Sequence, residues 1–144
     1  MTIHDDIINV GISDKNTVLF EGQYKVGGMA YNSYLIKDEK CAVLDTVDFK
    51  FGEQWINNIK ATGTNPDYLI ITHVEPDHSS NISRFMREFP NAEIVANAKA
   101  FNMIKNFFGE EFAGRKIEVK DGETFSLGVR EITFIAAPMV HWPE

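Results

Sequence analysis

Between His73 and His78 the chain reads His-Val-Glu-Pro-Asp-His, so four of six consecutive side chains can ligate a metal. They follow the apolar run Tyr68-Leu69-Ile70-Ile71-Thr72, which has the length and composition of a buried strand. A strand end holds the loop after it rigidly, and alternate residues of an extended loop point the same way. His73, Glu75 and Asp77 are therefore expected to converge, with His78 turned to the other side. Two imidazoles and two carboxylates at this density call for a cation, because burial and mutual repulsion would otherwise cost stability. A mixed nitrogen and oxygen set suits one or two transition-metal ions. His78 is open to two readings, ligand to a second metal or hydrogen-bond partner nearby. The bland alternative for the whole segment is a loop leading into a helix, with capping carboxylates and an unrelated histidine at each end.

Three further residues bear on this site. A metal held by His73 and Glu75 needs another protein ligand, and His141 is the best remaining candidate. It follows a strand-like run and sits in the stiff apolar stretch Pro138-Met139-Val140-His141-Trp142-Pro143. Asp45 ends the apolar run Val43-Leu44-Asp45-Thr46, where it reads equally as a turn former or as an acceptor that fixes a ligand loop. His4 lies in a polar, acidic stretch and reads as surface. The single cysteine, Cys41, begins an apolar run and reads as a buried structural thiol.

The elements that would position these groups follow from periodicity. The first 45 residues read as short strands: Asp6 to Ile12, Thr17 to Glu21, Tyr31 to Ile36 after a Gly27-Gly28 turn, and Cys41 to Leu44 after a hairpin-like Asp38-Glu39-Lys40. The pattern then becomes helical. Phe51, Trp55, Ile56 and Ile59 define an apolar face from about Lys50 to Ala61, with Asp48 as the N-cap and Gly63 and Pro66 as the stop. Ser79 and Ser80 are placed to cap a helix carrying Ile82, Phe85, Met86 and Phe89, ending at Pro90. Glu93 to Ala96 is a strand, and Ala98 to Phe108 a helix ending at Gly109 with Phe101, Ile104, Phe107 and Phe108 as core. Lys116 to Val119, Glu123 to Phe125 and Glu131 to Ala136 complete the strands. This is a mixed α/β pattern without the Gly-rich phosphate loop of a doubly wound nucleotide fold.

With 144 residues and 44% apolar content, the chain is expected to be one globular unit. The net charge of −7 and the absence of a Lys/Arg cluster argue against nucleic acid or an anionic membrane as partner. No basic leader or membrane-length apolar run is present, so the expected location is the cytoplasm.

Four segments together resemble the flavodiiron proteins, also called A-type flavoproteins. They are Tyr31-Asn32-Ser33-Tyr34-Leu35-Ile36, Val43-Leu44-Asp45-Thr46-Val47-Asp48, His73 to Ser80, and Pro138 to Glu144. Hydrolytic relatives in the metallo-β-lactamase superfamily carry a histidine where Glu75 stands, and the harder oxygen ligand fits a redox iron better than zinc. The resemblance implies the metallo-β-lactamase αββα sandwich and a centre of two Fe. His73, Glu75 and His141 would match the ligands of one iron, Asp77 and His78 those of the other, and Asp45 the aspartate behind them. It further implies reduction of O2 to water or NO to N2O, FMN in a flavodoxin-like domain, an electron donor such as a rubredoxin, and a homodimer or higher homo-oligomer. Residues 1–144 would then be the N-terminal portion of the metal domain, with the flavodoxin-like domain absent and the isolated piece inactive. Two alternatives are a zinc-dependent hydrolase of the same superfamily and a non-catalytic, self-associating fragment.

Overall fold

Strand residues with apolar side chains on both faces must be covered on both faces, and this chain covers them with two different layers. The computed structural model describes residues 2–20, 22–109 and 111–144. Its strands and helices, in chain order, are β1 (Thr2–His4), β2 (Ile7–Asn9), β3 (Ile12–Asp14), β4 (Leu19–Phe20), β5 (Tyr24–Lys25), β6 (Met29–Tyr31), β7 (Tyr34–Ile36), β8 (Ala42–Leu44), α1 (Gly52–Ala61), β9 (Tyr68–Ile70), α2 (Pro76–Ser79), α3 (Ile82–Glu88), β10 (Glu93–Ala96), α4 (Ala98–Phe108), β11 (Lys116–Glu118), β12 (Thr124–Ser126) and β13 (Glu131–Thr133). Among the described residues, seven strands form one sheet in the order β1-β2-β7-β8-β9-β10-β11. The half from β1 to β8 pairs antiparallel, and β8, β9, β10 and β11 pair parallel, with helices as the crossovers.

Alternation along each strand sorts the core. Leu35, Val43, Leu69 and Ile94 face the helices and pack with Trp55, Ile59, Phe85, Phe101 and Ile104. Ile36, Ala42, Ile70 and Val95 face the other way, against Leu127 and the partly buried Phe125, Ile132 and Phe134 of the β12–β13 hairpin and its flanks. The architecture is thus mixed α/β, as the sequence pattern indicates: a helix layer, a central sheet, and a hairpin on the opposite face.

Several sequence expectations change in detail. The run 6–12 splits into β2 and β3, and 31–36 contains the end of β6 and then β7, because the chain bends at residues 10–11 and 32–33. Of the run 17–21, Leu19–Phe20 form β4, and Glu21 lies outside the described residues. Ser79 and Ser80 do not cap α3. Their hydroxyls donate back to Val74, Glu75 and Pro76 carbonyls, and Asn81 stands at the helix start instead. Phe107 is not core: it is 54% exposed, on the edge of α4, while Phe108 packs against the core. Asp48 accepts the Lys50 amide as an N-cap, but of a short 3-10 turn, Phe49–Phe51, that leads into α1.

A buried polar chain joins this core to the chemistry. The Trp55 indole N–H donates to Ser33 Oγ at 2.9 Å, and the Ser33 hydroxyl donates to the Asp45 carbonyl at 2.9 Å. Replacing Ser33 with Ala strands the indole N–H and the Asp45 carbonyl together, a loss on the order of 1–3 kcal/mol. Chemical denaturation of Ser33→Ala should show it as a lowered midpoint at unchanged slope.

Cys41 is buried as expected and donates its thiol hydrogen to the Ile36 carbonyl at 3.1 Å. Burial pushes the thiol from 9.0 to about 11. A group whose folded-state pKa is raised contributes stability that is full below its unfolded pKa and lost as pH climbs through the folded value. Stability should therefore decline between pH 9 and pH 11, and Cys41→Ala should flatten that decline in urea titrations taken across the range.

Candidate metal centre

The carboxyl ends of β8 and β9 lie side by side, and the loops leaving them carry the candidate residues. Asp45, just past β8, has φ 53, a left-handed conformation that costs a non-glycine residue roughly 1–2 kcal/mol. What holds it there is a full set of partners. Asp45 Oδ1 accepts the Thr72 amide at 2.7 Å, and Oδ2 accepts the Thr72 hydroxyl at 2.6 Å. His78 Nδ1 lies 3.0 Å from the same Oδ2. The backbone ties the same loops again: the Thr46 amide donates to the His78 carbonyl at 2.8 Å, and buried Asn81 donates to the Val47 and Asp48 carbonyls. Asn81 fits only because residue 52 is glycine, since a Cβ there would stand 1.9 Å from Asn81 Oδ1.

Around this frame two imidazoles meet one carboxylate. Glu75 Oε2 lies 3.2 Å from His73 Nε2 and 2.7 Å from His141 Nε2. One donor atom from each of His73, Glu75 and His141 lies within 4.8 Å of the others. His73 is oriented from behind by the Thr72 hydroxyl, 3.2 Å from its Nδ1. Burial alone would raise the Glu75 carboxyl, but its contacts with His141 and His73 outweigh burial and hold it below the usual range. His141, the further ligand expected for a metal held by His73 and Glu75, reaches Glu75 from 66 residues downstream, and it rather than Asp77 stands as the third of this group.

Asp77 instead faces His78, with Oδ2 at 3.7 Å from His78 Nε2. The expected outward turn of His78 is also corrected. Its ring centroid lies 4.0 Å from that of His73, the two rings tilted by 42°, on the same side. The reason is Pro76, which starts the one-turn helix α2, so the strand-like alternation stops at Glu75 and the helical turn swings residues 77 and 78 round. Burial pushes the Asp77 carboxyl up, and His78 only partly offsets it. Burial works the other way on His78, but its bond to Asp45 and the charges of Asp45 and Asp77 prevail and raise it.

These residues fit a bound cation. Among the described residues Asp77 Oδ1 is buried without a hydrogen-bond partner, an expensive arrangement for an isolated carboxylate and an ordinary one for a ligand. The donors are imidazole nitrogens and carboxylate oxygens, the set suited to first-row transition metals. Asp45, His73 and His78 also offer three atoms within 4.8 Å of one another, but both Asp45 oxygens are already engaged by Thr72 and His78. Its place is therefore behind the donors. Thr72 was missed by reading ligand types alone; only its position, between a strand end and the first histidine, could have marked it. His4, read as surface, is exposed and faces Asp6 at 3.6 Å.

Comparison with known proteins places this geometry. The family model described as the metallo-beta-lactamase superfamily matches residues 26–141. A nitric oxide reductase of Moorella thermoacetica is 37% identical over 148 residues, covering 100% of this chain and 37% of the relative. An anaerobic nitric oxide reductase flavorubredoxin of Salmonella arizonae is 35% identical, covering 99% of this chain and 30% of the relative. The flavodiiron protein of Giardia intestinalis superposes with a TM-score of 0.91 at 34% identity, over 98% of this chain and 35% of that one. Rubredoxin oxygen:oxidoreductase of Desulfovibrio gigas gives 0.90 at 32%, over 99% and 36%. The chain thus spans about a third of the length of these relatives. Its fold, its sequence and the span of the match agree: the chain belongs to the metallo-beta-lactamase superfamily, and within it resembles the N-terminal part of the flavodiiron proteins.

Proposed function

We propose that this chain supplies iron ligands to a non-haem di-iron oxidoreductase that reduces oxygen to water, nitric oxide to nitrous oxide, or both. His73, Glu75 and His141 would hold one iron, and Asp77 with His78 would contribute to the other. The observation that carries the reading is the meeting of His73 and His141 on one Glu75 oxygen beside a buried Asp77 oxygen that has no other partner. The names of the similar proteins, nitric oxide reductase and rubredoxin oxygen:oxidoreductase, support the substrates and a rubredoxin-type electron donor.

Bound iron supplies redox electrons and open coordination positions for a small diatomic substrate. The protein's own part is positional. Asp45 and Thr72 hold His73 and His78 from behind, so the donor nitrogens need little reorganisation. A cleft of about 570 Å³, walled by Leu44, Ile70, Val119 and Phe134, reaches His73 and His141 and gives a small apolar molecule a route to the donors. We place the remaining iron ligands and an FMN-bearing flavodoxin-like domain in sequence outside these 144 residues, and a cytoplasmic homodimer or higher homo-oligomer as the working assembly. Among the described residues no helix is long and apolar enough to cross a membrane.

Glu75→Ala, tested in the full-length protein, should lower both iron content and reductase rate, with Fe(II) affinity down at least about tenfold in anaerobic titration. Unchanged iron occupancy would overturn the ligand assignment. Stoichiometric zinc in anaerobically purified protein, together with esterase or lactamase turnover, would overturn the oxidoreductase reading in favour of a hydrolase.

A further inference from the structure

His141 is the weakest-held member of the donor set. Its side chain is 68% exposed, and among the described residues its one hydrogen-bonding contact is Glu75 Oε2. The loop that carries it follows the last strand and must be fixed by something other than the sheet. Inside the loop, the Met139 amide donates to the Trp142 carbonyl at 2.9 Å, with Met139 at φ 64, which makes a turn but attaches it to nothing. The attachments lie just after the imidazole, at residues 142–144. Lys99, on the first turn of α4, donates to the Pro143 carbonyl at 2.7 Å. Phe107, near the last turn of α4, meets the Trp142 ring edge-on at 6.5 Å between centroids, and the same indole sits 6.3 Å from the His73 ring. The Glu144 carboxylate accepts the Val74 amide, between the two candidate ligands His73 and Glu75.

We propose that α4 is the platform that positions His141: Lys99 ties down Pro143 and Phe107 ties down Trp142, so the imidazole is delivered onto Glu75. This explains two exposed residues that packing leaves idle. Phe107 belongs to an apolar helix face yet contributes little to the core. Lys99 is an exposed side chain ordered onto a loop carbonyl 44 residues away. Both are positioning residues, acting through the loop on the one donor that the strand ends cannot fix. The inference rests on the reading of His141 as an iron ligand.

The test is a double-mutant cycle read by Fe(II) binding under anaerobic conditions in the full-length protein. Lys99→Ala and Phe107→Ala should each weaken Fe(II) affinity about tenfold, and Lys99→Arg should restore most of it. Neither substitution should weaken it further in a His141→Ala background. In the metal-free protein, hydrogen exchange at the Met139 amide should speed up in Lys99→Ala, while exchange in β9 and β10 stays unchanged. Equal losses with and without His141, or an unaltered affinity in both platform variants, would overturn the proposal. An unaltered affinity in His141→Ala itself would overturn the ligand reading beneath it.

Discussion

One carboxylate sets the geometry of this site. Asp45 links the ends of two neighbouring parallel strands and the helix turn that follows the second, through Thr72 and His78. It does so from a left-handed backbone conformation that a non-glycine residue adopts only when its surroundings insist. Here they insist from both sides. The side chain is bound by the β9 loop and α2, and its carbonyl is bound by Ser33, which is bound in turn by the indole of a fully buried tryptophan. The hydrophobic core therefore reaches the donor atoms through four residues, Trp55, Ser33, Asp45 and Thr72.

The arrangement of charge follows from the same constraint. Asp45, Glu75 and Asp77 stand with His73, His78 and His141 in a small partly buried space, where His73 and His141 meet Glu75 and His78 meets Asp45 and Asp77. Asp77 Oδ1 is left over. A protein that wanted only stability would do better with apolar residues here, since buried charge clusters seldom repay their desolvation. Their retention at the carboxyl end of a parallel sheet, beside an open cleft, points to a bound cation as the partner that balances them.

Much of this was legible in the chain itself. Short continuous apolar runs in 42–44, 68–71 and 94–96 and period-3.6 faces in 50–61 and 98–108 reflect burial, which composition records directly. The donor types at 73, 75, 77, 78 and 141 are visible for the same reason that chemistry is: few other residues can do it. What could not be read was direction. Treating the loop after β9 as strand-like sent His78 outward and drew Asp77 towards His73 and Glu75, whereas the helical turn begun by Pro76 brings the His78 ring beside His73 and sets Asp77 against His78. Ser79 and Ser80 looked like caps, yet inside one-turn helices hydroxyls more readily bond backward to carbonyls. The strain at Asp45 and the ties from α4 to the His141 loop depend on contacts between residues 27 to 44 positions apart, which no local pattern encodes.

We propose that Asp45 orders the donors without being one. Anomalous diffraction at the iron edge, from crystals of the full-length protein loaded with Fe(II) without oxygen, tests it most directly. A peak bonded to His73, Glu75 and His141, with both Asp45 oxygens still on Thr72 and His78, is the predicted result. A peak bonded to Asp45, or none within reach of Glu75, would contradict it.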